Sequence, residues 1–472
     1  MIWDFEKYSD NLAILDEFNN KLTYRELVEK GNDIYSAMQG RCLVFAMCQN
    51  SIGSLVGYAS FIEHGVVPVL LNTHLEKGLL DNLIKTYKPS YIWTPSAQVE
   101  QYAEYDCTEV LQVLDYSLLV THFLKSYPLF DDLCLMLTTS GSTGSPKFVR
   151  QSYQNVKANA EAIVEYLELD DTERPITMLP MNYTYGLSVI NSHFMVGATI
   201  LVTDKGLMQK EFWSFFKEQG ATSIVGVPYN YEMLDRLRFY RMDLPSLRYM
   251  TQAGGKLTPE LHKKYAEYAQ AHDKKFIVMY GQCEATARMG YLPAEKSLEK
   301  CGSMGVAIPG GTFHLIDVDG NDITEANVTG ELVYEGPNVT LGYAECGQDL
   351  IKGDERKGIL QTGDMAQRDE DGYYFIVGRK KRFLKIYGNR VNLDEIDRLI
   401  KTEFNNIDMA SSGKDDHMYL FVTDEKYAAP VRDFVIAKTK LNPAAFKSVV
   451  IDEIPKNDSG KTLYKELTKY YE

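Results

Sequence analysis

Up to Gly311 the chain alternates short apolar runs with longer amphipathic stretches. The runs 41–47, 67–71, 91–94, 133–137, 176–179, 199–202, 223–225 and 276–280 are too short for helices and read as buried strands. Between them, 22–39 opens with Thr23 ahead of Arg25, Glu26 and Leu27, and 154–167 sets apolar residues at helical spacing, so both predict amphipathic helices. Strands alternating with helices predict an α/β fold with parallel strands. After Gly311 the runs shorten: 313–317 and 373–377 flank the turn signals Asp319-Gly320-Asn321 and Asp371-Gly372, which predicts a small hairpin-rich subdomain.

At 472 residues and 45% hydrophobic composition, the chain exceeds what one core supports, so several packed units are expected. The stretch 55–71 is broken by Glu63 and His64 and predicts a helix followed by a strand, with no stable membrane insertion. The acidic start MIWDFEKYSD lacks the basic and apolar regions of a signal peptide. A net charge of −15 argues against nucleic acid or an anionic membrane as a partner, since both require a basic surface. The seven cysteines are scattered without metal-ligand spacing, which suits reduced thiols in the cytoplasm. Nothing in the pattern sets an oligomeric state.

The densest chemistry follows the strand-like run 133–137. Thr138, Thr139, Ser140, Gly141, Ser142, Thr143 and Gly144 lead through Pro146 to Lys147. Glycines let successive backbone N–H groups converge on an anion, hydroxyls add donors, and Lys147 adds a charge; this is the composition of a phosphate-handling loop. It is not a Walker loop, because no Gly-Lys pair closes it. The Gly460-Lys461-Thr462 triplet has Pro455 where the Walker glycine belongs.

The loop resembles the signature of the adenylate-forming superfamily, which includes acyl-CoA synthetases, adenylation domains of nonribosomal peptide synthetases, and luciferases. The resemblance continues in the family's order through Tyr280-Gly281-Gln282-Cys283-Glu284, Gly330-Glu331-Leu332, Gln361-Thr362-Gly363-Asp364, Gly378-Arg379-Lys380-Lys381 and 455–461. It implies a large N-terminal domain of layered α/β subdomains at 1–377 with its β-rich subdomain at 311–377, a hinge at 378–381, and a small mobile α+β C-terminal domain at 382–472. It also implies activation of a small carboxylic acid with ATP and Mg²⁺ to an acyl-AMP, followed by transfer to the thiol of CoA. Two alternatives are transfer to the phosphopantetheine of a separate acyl or peptidyl carrier protein, amino-acid activation included, and a luciferase-like oxygenase. A non-catalytic nucleotide-binding regulator is a third.

The same resemblance assigns roles. The loop from Thr138 to Lys147 would hold the leaving phosphates, and Glu284 would hold Mg²⁺. Gly254, Gly255, Tyr280, Gly281, Gln282 and Cys283 would surround the nucleotide, with Asp364 on the ribose hydroxyls and Arg379 on ribose or phosphate. Tyr183, Gly186, Val227, Pro228, Gly254 and Ala285 would line the acyl pocket. Lys461 would bridge acid and α-phosphate, Lys381 would be the hinge, and Gly388 would leave room for the pantetheine arm. The basic run Arg379, Lys380, Lys381, Arg382 and Lys385 offers a surface for CoA phosphates or an acidic carrier.

Two positions depart from the family pattern. Cys283 stands where threonine is usual, and a thiol is the weaker donor. Phe148 replaces the glycine that usually follows the loop lysine. No aspartate lies near Gly186 to hold an α-ammonium, which disfavours amino acids. Tyr183, Tyr185, Tyr229 and Tyr231 predict an aromatic-lined, partly polar cavity for an aryl, short-chain or hydroxylated acid.

Overall fold

The computed structural model describes every residue except 125–126, 139–146, 388, 406, 457–461 and 472, with the backbone alone at 381, 383, 389 and 390. The chain divides into two compact units, residues 1–312 with 334–360, and residues 313–333 with 361–472.

The first unit is built on an eight-stranded sheet. Its centre is parallel: Leu43–Cys48 lies between Val67–Asn72 and Tyr91–Pro95, and Val67–Asn72 pairs in turn with Leu133–Thr138. Every residue of Leu43–Cys48 is buried. Val44, Ala46 and Cys48 enter one apolar cluster while Leu43, Phe45 and Met47 enter another. Covered on both faces, such a strand is apolar without alternation, which is why it stood out as a continuous run. The 55–71 stretch divides as expected into the helix Ile52–Glu63, buried through residue 62, and the strand Val67–Asn72.

At one edge the chain returns antiparallel, Leu133–Thr138 pairing with Phe148–Ser152 and that strand with Gly342–Ala344. A second sheet aligns Ser223–Gly226, Tyr249–Gln252 and Lys275–Tyr280 in parallel before the short antiparallel strand Gly290–Tyr291. These two sheets, with their covering helices, bear out the α/β expectation.

Some boundaries moved. The expected helix 22–39 is Tyr24–Ser36, because Thr23 caps it: its hydroxyl accepts from Glu26 N while Glu26 accepts from Thr23 N. The run 176–179 makes only isolated bridges, Pro175 with Ser223 and Ile176 with Leu201. Pro175 and Pro180 flank it, and each lacks the N–H needed to extend a ladder.

The second unit contains the antiparallel pairing of Asp364 to Arg368 with Tyr374–Arg379 across the Asp371-Gly372 turn. It also holds a three-stranded sheet of Met409–Lys414, His417–Val422 and Phe446–Val450. The helices Leu393–Glu403 and Ala428–Thr439 contribute Ile396, Ile400, Val431 and Val435 to its core.

Candidate active site

Glu284 sits in the single-turn helix Cys283–Ala285, directly after the strand Lys275–Tyr280. The turn is tight. A Cβ on Gly281 would lie 1.6 Å from the Ala287 carbonyl oxygen, so only glycine fits there. Thr286 (φ 62°) and Ala287 (φ 133°) both occupy the left-handed region, a strain that persists where surroundings fix the backbone. Asn338 does the fixing: its Nδ2 donates to the carbonyls of Ala285 (2.8 Å) and Arg288 (3.0 Å), and its backbone carbonyl accepts from Thr286 Oγ1.

The segment 340–356 forms a shelf beside this turn. Thr340 N and Oγ1 and Arg356 Nη1 all donate to the Glu284 carbonyl. Tyr343 donates its hydroxyl to Glu284 Oε1 at 2.7 Å. Burial, then the Glu284 charge, push that phenol up to about 12, so it remains a donor at any physiological pH. Lys147 Nζ lies 3.8 Å from the centre of the Tyr343 ring, and the Arg356 guanidinium lies 4.6 Å from it. One tyrosine therefore links the lysine that ends the hydroxyl-rich loop to the candidate metal-binding carboxylate. The shelf is anchored by the fully buried Arg150, which bonds the carbonyls of Leu341, Tyr343 and Lys352 and the Glu355 carboxylate. Tyr343, Arg356, Asn338 and Arg150 went unnoticed in the sequence; Asn338 and Tyr343 follow the Gly330-Glu331-Leu332 motif and Arg150 follows Lys147, but none belongs to a motif.

Gly254 turns at φ +80°, held by Gln252, whose Nε2 donates to the Ala253 and Gly255 carbonyls. A Cβ there would meet the Tyr183 hydroxyl at 2.8 Å and Val227 Cγ1 at 3.0 Å, so the backbone, Tyr183 and Val227 share one wall. Pro228 abuts Gly255, Ala285 is fully buried, and Gly186 lies where its helix meets the Pro180 carbonyl. Burial, with the Cys283 thiol adding to it, pushes the Tyr183 phenol up to about 12. The expected four-tyrosine lining is not formed. Tyr229 is 56% exposed, and Tyr231 is core, its hydroxyl bound to the Thr251 carbonyl. Tyr183 and Tyr185 remain, their rings 6.4 Å apart. Beyond Tyr185 lies a residue that sequence reasoning missed altogether, the buried Arg288.

Thr138 ends its strand opposite Phe148, while Thr139 to Gly144, Gly388 and Lys461 lie outside the described residues. Tyr280 lies next to Gln282, whose Nε2 reaches its hydroxyl at 3.2 Å. In the second unit Asp364 and Arg379 are register partners, Nε to Oδ1 3.1 Å. Lys381 falls in the short turn Lys380–Arg382. The basic run is largely neutralised from within. Lys380 pairs with Glu331, and Arg382, only 7% exposed, bonds Asp394 and Asp397 and stacks on Tyr464. Arg382 is thus a structural cation, not part of a docking surface.

The family described as AMP-binding enzyme matches residues 3–344. The chain belongs to the AMP-binding enzyme family. Over 412 residues this AMP-binding enzyme is 28% identical to the 2-succinylbenzoate–CoA ligase of Oceanobacillus iheyensis, covering 83% of this chain and 81% of that one. It is 29% identical over 353 residues to the oxalate–CoA ligase of Arabidopsis thaliana, covering 70% of this chain and 66% of that protein's length. Among solved structures, o-succinylbenzoate CoA synthetase from Bacillus subtilis in complex with its acyl-adenylate intermediate matches with a TM-score of 0.78 at 20% identity over 99% of this chain and 98% of that one. ATP-bound MatB from Rhodopseudomonas palustris matches with a TM-score of 0.77 at 21% identity over 98% and 96%. At such identities the two structures establish the fold.

The donor set of this AMP-binding enzyme suits Mg²⁺ better than a metal needing a protein cage. Among the described residues no cluster of three or more His, Cys, Asp or Glu could hold an ion. Glu284 Oε2 has no hydrogen-bond partner among them, leaving one carboxylate oxygen for a hard cation whose remaining ligands are phosphate and water. The two departures also acquire a place. Cys283 is buried beside Tyr183. Phe148 is 1% exposed and packs edge-on to Tyr87 at 5.0 Å, so it fills core. No helix of the described residues is long and apolar enough to cross a membrane.

Proposed function

We propose that the protein is an AMP-forming acid:CoA ligase of the cytoplasm. A carboxylate oxygen attacks the α-phosphorus of ATP and pyrophosphate leaves; the CoA thiol then attacks the acyl carbon, AMP departs, and the thiol proton is released. The observation that carries the reading is the Lys147–Tyr343–Glu284 chain of contacts, in which one tyrosine takes the lysine that follows the hydroxyl-rich run on its ring and the carboxylate on its hydroxyl.

The residues divide the work. Thr138 to Lys147 would grip the departing phosphates, where positioning and charge neutralisation supply most of the acceleration. Glu284, oriented by Tyr343 and Arg356, would hold Mg²⁺, which supplies further neutralisation when bound. Asp364 would accept from the ribose hydroxyls, its charge offset by Arg379. Lys461 would bridge acid and α-phosphate; rotation about Lys381 would withdraw it and bring the segment with Gly388 to the thiol.

A screen of carboxylic acids for pyrophosphate release, with CoA present, tests the reading. Release should require both acid and Mg²⁺, and Glu284→Gln should lower it about 100-fold. Release independent of the acid would overturn it.

A further inference from the structure

Three arginines of the described residues are buried: Arg150, Arg288 and Arg382. Arg150 is matched by Glu355, and Arg382 by Asp394 and Asp397. Arg288, 3% exposed, has no carboxylate within ion-pairing distance among the described residues. Its Nε donates to Ser188 Oγ (3.1 Å), its Nη1 to Tyr166 OH (2.9 Å) and towards Met279 Sδ (3.4 Å), and its guanidinium lies 5.2 Å from the centre of the Tyr185 ring. Nη2 makes no hydrogen bond among the described residues.

The groups around this charge are neutral. Burial, aided by Arg288 itself, pushes His193 down to about 4. Burial raises the Tyr166 phenol, and raises the Tyr185 and Tyr249 phenols further. An unmatched buried cation is costly, and guanidinium keeps its charge rather than shed a proton, so the fold carries this cost with a donor to spare. The backbone that presents Arg288 is fixed too, its carbonyl tied by Asn159 and Asn338 after two left-handed residues.

Position decides what the charge would meet. From the Gly254 turn the wall runs through the Tyr183 hydroxyl to the Tyr185 ring and then to Arg288, without a change of unit. We propose that Arg288 binds the second carboxylate of the substrate acid, so that the substrates are dicarboxylic acids: one carboxyl is activated and the other pairs with the guanidinium. This rests on the acid:CoA ligase reading and on Tyr183 and Gly254 bordering the acyl group. The spare Nη2 supplies a charge-assisted hydrogen bond that no methyl-terminated acid can accept.

The test is pyrophosphate release by the full-length protein with ATP and matched pairs of acids, each a dicarboxylate and the methyl-terminated acid of equal length, in aliphatic and benzene-linked series. The wild type should favour a dicarboxylate by at least about 100-fold in kcat/KM, since a site built around a polar partner rejects analogues that lack it. Arg288→Met should invert that preference, chiefly through KM, and Arg288→Lys should restore part of it. A wild type that prefers methyl-terminated acids overturns the proposal while leaving the ligase reading intact, as does an Arg288→Met variant that loses both series equally. If Arg288→Met does not fold, wild-type selectivity alone decides. Absence of release with every acid would overturn the ligase reading along with the proposal.

Discussion

A single tyrosine touches both charges on which the proposed chemistry depends, Lys147 through its ring and Glu284 through its hydroxyl. Tyr343→Phe keeps the ring under Lys147 and Arg356 but removes the bond to Glu284. Loss of one hydrogen bond to a charged group costs about 1.5–3 kcal/mol, so kcat/KM for pyrophosphate release should fall roughly 10- to 100-fold. The melting temperature should barely move; a large fall in it with unchanged activity would reassign the hydroxyl to structure. Two other groups, the buried His193 and the half-buried Glu63, shape stability with opposite signs. His193 titrates near 4 when folded against a usual 6.5, so the native state binds fewer protons and stability is lost as pH falls from 6.5 to 4, by on the order of 2–3 kcal/mol. Burial raises Glu63 to about 7, so its contribution is lost as pH rises from 4.5 to 7. The two offset each other in the wild type. The stability gap between wild type and His193→Gln, measured by urea unfolding, should therefore shrink as pH falls from 6.5 towards 4; a gap independent of pH would contradict a neutral His193.

Among the elements, the Glu284 turn is the one whose shape comes from elsewhere in the chain. Asn338→Ala would remove the amide that bonds the Ala285 carbonyl and the Tyr334 hydroxyl, and would leave the Arg288 carbonyl to Asn159. Unsatisfied buried groups cost about 1–3 kcal/mol each, partly relieved by water, so a loss of about 2–4 kcal/mol is expected in thermal or urea unfolding, with a fall in kcat. Normal stability with normal turnover would show that the turn holds itself. The same contrast marks what the sequence could reveal. Strands such as Leu43–Cys48 and Val67–Asn72 were legible because burial on both faces demands unbroken apolar runs. The Thr23 cap is visible in the sequence, and the cap, not the apolar pattern, sets the helix start at Tyr24. The 176–179 run misled because its prolines, outside the apolar run, decide its hydrogen bonding.

At the scale of the molecule, the motif residues point to the proposed reaction class and say little about the acid. Lys147 and Glu284 belong to local motifs, whereas Tyr343 meets Glu284 across 59 residues and Arg288 meets Ser188 across 100. No periodicity records such pairings, since they arise only when segments of the first unit that are distant in sequence fold together. A lone arginine four residues after a motif glutamate also carries no mark of burial, and the four-tyrosine expectation failed for the same reason. If Lys461 serves adenylation and the chain then rearranges for the thiol, Lys461→Ala should abolish acyl-AMP formation yet convert preformed acyl-AMP to thioester; equal loss of both half-reactions would remove it from the first step. The most direct measurement is the product balance of a reaction with ATP, Mg²⁺, CoA and an accepted acid, followed by mass spectrometry. AMP, pyrophosphate and acyl-CoA should form in equal amounts, whereas ADP with phosphate, or AMP without a thioester, would contradict an AMP-forming acid:CoA ligase.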